Sequence, residues 1–285
     1  MRRIFASLLV VLALAPSVLW ANPSKGEVKS PTVLRFVTYA KERPSEEFRK
    51  MEPFQRHLEG MLVERGFRVR VDLIIHATYD EAHDAIAAGQ FEFGRLGPAG
   101  YLIVKARRAP VRILVAESYN GTSLFEGAIF VRDDSPIRTL ADIKGKRMAF
   151  GDDKSTTGRF LPQATLVRAG IRARDLKAFD YLGRHDKVVT AIASGAFDVG
   201  AANDRTIEKH TEKKLRKIAK VTTPTEPWVV HAGVDPKLAD AIRDALLTMD
   251  RKALQYLDRD GFVPAREADF EALEREMKQA EQFGG

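Results

Sequence analysis

Ala149-Phe150-Gly151-Asp152-Asp153-Lys154-Ser155-Thr156-Thr157-Gly158-Arg159-Phe160-Leu161-Pro162 is the stretch that decides how this chain is read. An apolar strand is predicted to end at Gly151, a short polar loop follows, and three hydroxyl residues open a helix. The first backbone N–H groups of a helix have no partner inside it and carry the positive end of its dipole. Ser155, Thr156 and Thr157 add hydroxyls at the same place, a group suited to a small oxyanion. Gly158 would let a ligand come close to the backbone. The competing reading is that Ser155 simply caps the helix, as serine commonly does. A phosphate-binding P-loop does not fit, because that motif needs glycines where Met148 and Asp153 stand.

Outward from this run, apolar strands alternate with amphipathic helices, the pattern of an α/β fold with largely parallel sheets. A strand at 33–39 precedes a helix at 45–65, whose Met51, Phe54, Leu58, Met61 and Leu62 share one face. A strand at 68–75 leads to Thr78-Tyr79-Asp80-Glu81, a capping-box start. Strands at 91–96 and 111–118 flank a helix opening at Pro98. A second series follows Gly127, with strands predicted at 128–132, 147–150, 176–181, 197–201 and 215–221. Its helices open at Ser155, span 185–194, and lie near 204–212. Asp235-Pro236 opens a further helix, and a charged helix around Phe270, Leu273 and Met277 completes the pattern.

The chain begins Met1-Arg2-Arg3, then runs apolar from Ile4 to Trp20 before Ala21-Asn22-Pro23. A short positive segment, an apolar segment and a small residue read as a secretory signal peptide over 1–21. The 17-residue apolar stretch stands at the bottom of the membrane-spanning range. There is no cysteine among the 285 residues, which removes disulfides, a thiol nucleophile, cysteine-held metals and a lipid-modified cysteine after the signal. The net charge of +7 suits attraction of anions into a cleft. It does not argue for nucleic acid in an exported protein, and the basic run at 205–220 reads as a solvated helix face leading into a strand.

The opening stretch closely resembles the phosphonyl-site segment, AFGDP-S-T-S-G-x-x-x-P, of the phosphonate/phosphite-binding periplasmic solute-binding proteins, the receptors of ABC importers. Three further stretches resemble the same family in the same order: Gly89 to Tyr101, Ser135 to Gly145, and Gly183 to Val189 leading to Gly195-Ala196-Phe197-Asp198. The resemblance implies a type II periplasmic-binding-protein fold, with two α/β lobes, two crossing segments and a ligand cleft between them. One lobe would hold residues 32–122 with 225–285, and the other residues 126–221. It implies a periplasmic protein that captures a phosphonate, phosphite or phosphate-like anion by hinge closure, without a cofactor, and delivers it to an inner-membrane permease. The alternative keeps the fold and reports the ligand to a membrane sensor kinase or cyclase.

Ligands of open α/β sheets sit beyond the carboxyl ends of strands. That rule collects Tyr39 and Gly97-Pro98 from the first series, with the outward amides of Ala99 and Gly100. From the second it collects Ser155, Thr156, Thr157, His185, Asn203 and Asp204. His185 matches a family histidine, with capping or packing as its alternative. Tyr101 matches the tyrosine of the Gly-Pro-x-x-Tyr motif, with core packing as its alternative. Asp204 would hold a cationic part of a ligand or merely begin a helix. Two departures bear on the ligand: Phe125-Glu126-Gly127 replaces an aromatic-Ser pair, and Arg95 interrupts an apolar stretch, reaching either a second anionic group or an acid on the sheet face. Catalysis is not expected. Gly-x-Ser-x-Gly and His-Glu-x-x-His are absent, His185 and Asp186 diverge on a helix, and His76 and His83 lack the partners of a metal site.

Overall fold

The computed structural model describes residues 30–40, 43–119, 121–254, 257 and 259–284; the expected export segment lies outside them. The first series runs β1 (Thr32–Tyr39), α1 (Pro44–Glu64), β2 (Val69–His76), α2 (Tyr79–Ala87), β3 (Phe93–Arg95), α3 (Pro98–Ala106) and β4 (Val111–Ser118). The second runs β5 (Leu124–Arg132), β6 (Arg147–Phe150), α4 (Leu161–Arg168), β7 (Ala178–Tyr181), α5 (His185–Ala193), β8 (Val199–Asn203), α6 (Asp204–Glu208) and β9 (Leu215–Pro224). The chain then returns through β10 (Pro227–His231), α7 (Pro236–Leu247), α8 (Arg251–Leu254), β11 (Gly261–Val263) and α9 (Glu271–Ala280). The helix expected near 204–212 ends at Glu208.

Among the described residues two sheets form, one for each lobe. The first has the order β11-β4-β10-β3-β1-β2, the second β7-β6-β8-β5-β9. In the first, β1 lies parallel to β2 and β3, while β10 runs antiparallel between β3 and β4. In the second, β6 lies parallel to β7 and β8, and β5 runs antiparallel to β8 and β9. The strands by which the chain enters each sheet from the other, β5 and β10, run against their neighbours, and β11 runs against β4, so the sheets are mixed instead of largely parallel.

Alternation of side chains along each strand feeds two cores per sheet. Leu34 and Phe36 pack with Phe54, Phe93, Trp228 and Ile242 under α1 and α7, while Val37 and Tyr39 face Ile86 and Phe91 on the α2 and α3 side. Phe36 stacks on Phe93 with ring centroids 4.6 Å apart. In the second lobe Ile129, Met148 and Phe150 pack beneath α4, and Phe130, Ala149 and Ala202 beneath α5.

The C-terminal segment does not stay with the first sheet. Helix α9 packs along α4 and touches α3, and Phe283 enters the second lobe's core against Phe150 and Phe179. The pair Arg168–Glu276 joins α4 to α9, and Lys105–Glu267 (2.6 Å) ties α3 to the turn before it. Residues expected in the first lobe therefore brace both.

Candidate functional site

Tyr39, Gly97, Ser155, Thr156, Thr157, His185 and Asn203 surround one cavity of about 30 Å³ between the lobes, together with Tyr79, Thr223 and Glu226. One water needs roughly 10–15 Å³ on this measure, so the space admits a head group of a few heavy atoms. Its floor is the loop after β6. Ser155 caps it, its Oγ accepting a hydrogen bond from the Gly158 amide at 3.0 Å. Residues Thr156–Phe160 then make a wide π turn that runs into α4. Such widened turns leave backbone groups without a regular helical partner and are frequent at functional sites. Here the amides of Thr156 and Thr157 donate to no protein acceptor among the described residues.

Gly158 serves packing and not ligand access. A Cβ there would stand 2.9 Å from Ser155 Oγ, 3.0 Å from Gly151 Cα and 3.1 Å from the His185 ring, so glycine lets the turn close on β6. Gly127 has a similar cause, for a Cβ there would meet the Thr157 Cβ at 2.6 Å. Glycine at position 127 thus makes room for Thr157.

His185 opens α5 and is buried beside the turn. Its Nδ1 accepts the backbone N–H of Asn203 at 3.4 Å, which places the proton of a neutral ring on Nε2, where it can be donated. Asn203 ends β8, and its side-chain oxygen caps α6 by accepting from the Thr206 amide at 2.8 Å. From the first lobe, Tyr39 at the end of β1 sets its hydroxyl over Gly97, where a Cβ would lie only 2.7 Å away. Tyr79 stacks obliquely on Tyr39 at 3.8 Å, and both tyrosines line the chamber together with Ser155. Burial, reinforced by the neighbouring tyrosine, pushes the Tyr39 hydroxyl well above its ordinary range; burial, then Asp152, does the same for Tyr79. Both remain neutral hydrogen-bond donors.

Three predicted residues stand elsewhere or are spent. The Ala99 amide, at the start of α3, donates across the cleft to Thr156 Oγ1 at 2.9 Å, so it binds the other lobe. Tyr101 is turned into the first lobe's core against Phe270. Asp204 pairs with Lys217 at 2.7 Å and faces a larger outer cavity, not the chamber. Arg95 lies against acids: it pairs with Glu117 and stands 3.6 Å from Glu226 and 3.9 Å from Glu47. His83 is fully buried, edge-on to Tyr39 and Tyr79, with neither ring nitrogen hydrogen-bonded. Burial pushes its pKa down to about 4, so it is neutral packing behind the tyrosines. No cluster of histidine and acidic side chains suited to a metal occurs among the described residues.

Tyr79, Thr223 and Glu226 were missed by the strand-end rule. Tyr79 was within its reach, since it follows β2 and begins α2. Thr223, near the carboxyl end of β9, was within its reach as well, whereas Glu226 lies on the returning crossing between β9 and β10, where strand polarity gives no signal.

Residues 36–270 match the family model described as ABC transporter, phosphonate, periplasmic substrate-binding protein. Over 159 residues the chain is 24% identical to a probable ABC transporter phosphite-binding protein PhnD1 of Prochlorococcus marinus, covering 49% of this chain and 54% of that one. It is 25% identical over 158 residues to the phosphate-import protein PhnD of Mycolicibacterium smegmatis, covering 52% and 49%. The match thus spans about half the length of these curated relatives. The structure of Prochlorococcus marinus PhnD1 in complex with methylphosphonate superposes with a TM-score of 0.79 at 18% identity, covering 88% of this chain and 99% of that one. That likeness is one of fold.

Proposed function

This chain belongs to the family of periplasmic substrate-binding proteins of phosphonate ABC transporters and has their type II fold, and from that premise we propose that it captures a small phosphorus oxyanion by closing its lobes. The observation that carries this reading is the pair of unpartnered amides at Thr156 and Thr157, set between hydroxyls of both lobes. An oxyanion there would accept from those amides, from Ser155, Thr157, Tyr39 and Tyr79, and from His185 Nε2. Each charge-assisted bond contributes about 1.5–3 kcal/mol. Several of them offset dehydration of the anion and leave micromolar or tighter binding, after the cost of ordering two lobes.

Hinge closure follows from where the donors stand. Tyr39 and Tyr79 ride on the first lobe, and the π turn and His185 on the second, so a ligand bonded to both holds the lobes together. Water leaves as they meet, and each remaining polar contact strengthens. Delivery to an inner-membrane permease, and a periplasmic location, are the roles this closed form would serve.

Glu226 gives a reason to prefer phosphorus over sulfur. Its carboxylate is an acceptor in the chamber wall, which suits an oxyanion that still carries a proton. Phosphonates and phosphate do so near neutral pH; sulfonates do not. Calorimetric titration with phosphate, phosphite, methylphosphonate and methanesulfonate tests the proposal. Saturable one-to-one binding of a phosphorus oxyanion, with none of the sulfonate, is expected. No heat from any of the three phosphorus anions would overturn it.

A further inference from the structure

Thr223 stands in the chamber wall, is 2% exposed, and its Oγ1 has no hydrogen-bond partner in the protein. Resting on the oxyanion reading above, we propose that this hydroxyl is a further ligand-binding group. It donates to an oxygen of the bound phosphorus oxyanion and ties the ligand to the strand that leads into the returning crossing.

The register of the sheet directs Thr223 to the site. It stands opposite Phe125 in the antiparallel β5–β9 pair, and Val221 stands opposite Gly127. Side chains two apart on a strand, and those directly opposite on its neighbour, share one face. A Cβ on Gly127 would point at Thr157, so this face looks onto the π turn. Phe125 and Thr223 both line the chamber from it. Thr223 thus belongs to the same lobe as the unpartnered amides, opposite the tyrosines of the first lobe.

The chemistry of the position argues for a ligand. A buried hydroxyl without a partner destabilises a fold, and nearly all buried polar groups in native proteins are bonded. Thr225, two residues on, shows the ordinary arrangement: it is fully buried, and its Oγ1 donates to the Glu117 backbone carbonyl. Valine would fill the place of Thr223 with nearly the same shape and would suit a strand as well. The fold therefore gains nothing from this oxygen. A tetrahedral oxyanion presents acceptors on several sides, and a hydroxyl rotates to meet one of them without adding charge to the chamber.

Thr223→Val removes the oxygen and keeps the shape, whereas Thr223→Ser keeps the oxygen. Calorimetric titration of the parent and both variants with methylphosphonate and with inorganic phosphate reads binding, and thermal melting of the ligand-free proteins reads the fold. Thr223→Val is expected to raise the dissociation constant roughly fivefold or more for whichever anion the parent binds. Its ligand-free melting temperature should be no lower than the parent's, because no hydrogen bond within the protein is lost. Thr223→Ser should bind more tightly than Thr223→Val. A rise of less than about fivefold in Thr223→Val, or a serine variant that binds no better than the valine one, would overturn the inference. So would a lower melting temperature of ligand-free Thr223→Val, which would show that the hydroxyl serves the fold. A parent that binds neither anion would remove the oxyanion reading itself, and this inference with it.

Discussion

Replacing Thr156 by valine removes one hydroxyl and almost nothing else, and its effect should fall on lobe closure. With the lobes together, Thr156 Oγ1 is the acceptor for the Ala99 amide, 2.9 Å away across the cleft. Ala99 is completely buried there and sits in the first turn of α3, where the helix itself offers its N–H no partner. With the lobes apart, water can take that N–H. Valine thus leaves a buried donor unsatisfied in the closed form only, which costs about 1–3 kcal/mol. Since ligand binding draws on the closed form, the dissociation constant should rise roughly 5- to 150-fold. The Thr156 amide, the group offered to the ligand, is unchanged. Calorimetry with methylphosphonate measures the change, and small-angle scattering with saturating ligand reports whether compaction needs more ligand than in the parent. A constant unchanged within twofold, in a variant of unchanged melting temperature, would refute the claim that this bond forms on closing.

His185→Phe should lose the Nε2 donor and weaken oxyanion binding roughly 10- to 150-fold while circular dichroism stays unchanged; binding at parental strength would exclude the histidine from the site. Asp152 supplies a pH dependence. Burial, with help from Asp153 and Asp80, raises its pKa to about 6 from an ordinary 3.8, so the native form holds more protons than the unfolded chain between those values. Stability contributed by this group therefore declines as pH rises from about 4 to about 6 and then levels off. Melting curves of parent and Asp152→Asn between pH 4.5 and 7.5 check this, and equal pH slopes in the two would contradict it. Phe283→Ala, which empties an aromatic place in the second lobe's core, should cost about 3–5 kcal/mol in denaturant unfolding. A loss below 1 kcal/mol would mean that the C-terminal segment does not brace that lobe.

Local pattern carried much of the architecture. The strand and helix alternation is visible because each strand is a short apolar run and each helix has a single apolar face, as in α1, where Met51, Phe54, Leu58 and Leu62 are all buried. The short strands β10 and β11 were not visible. Pro227-Trp228-Val229-Val230-His231 follows a proline-rich connection and pairs with strands more than a hundred residues earlier in the chain. The crossing of α9 was hidden for the same reason, because its moderately apolar stripe suits either lobe and only the fit of Phe283 beside Phe150 assigns it.

The candidate site divides along similar lines. Ser155, Thr156, Thr157, His185 and Tyr39 could be picked out because strand ends and helix starts mark positions where polar groups face a cleft. Tyr101 could not be resolved by its motif alone. Three residues after Pro98 a helix has turned nearly once, and this side chain points inward to Phe270. Asp204 depended on Lys217, which β9 brings beside it through pairing with β5, a register that sequence spacing does not give. Arg95 has its counterions on α1, β4 and the crossing before β10, all distant in sequence.

A crystal structure of the protein grown with methylphosphonate tests the central claim most directly. The account predicts phosphonyl oxygens within about 3.2 Å of the Thr156 and Thr157 amide nitrogens and near His185 Nε2, with Tyr39 and Tyr79 closing from the other lobe. An anion bound elsewhere, with those two amides facing water or protein, would contradict it.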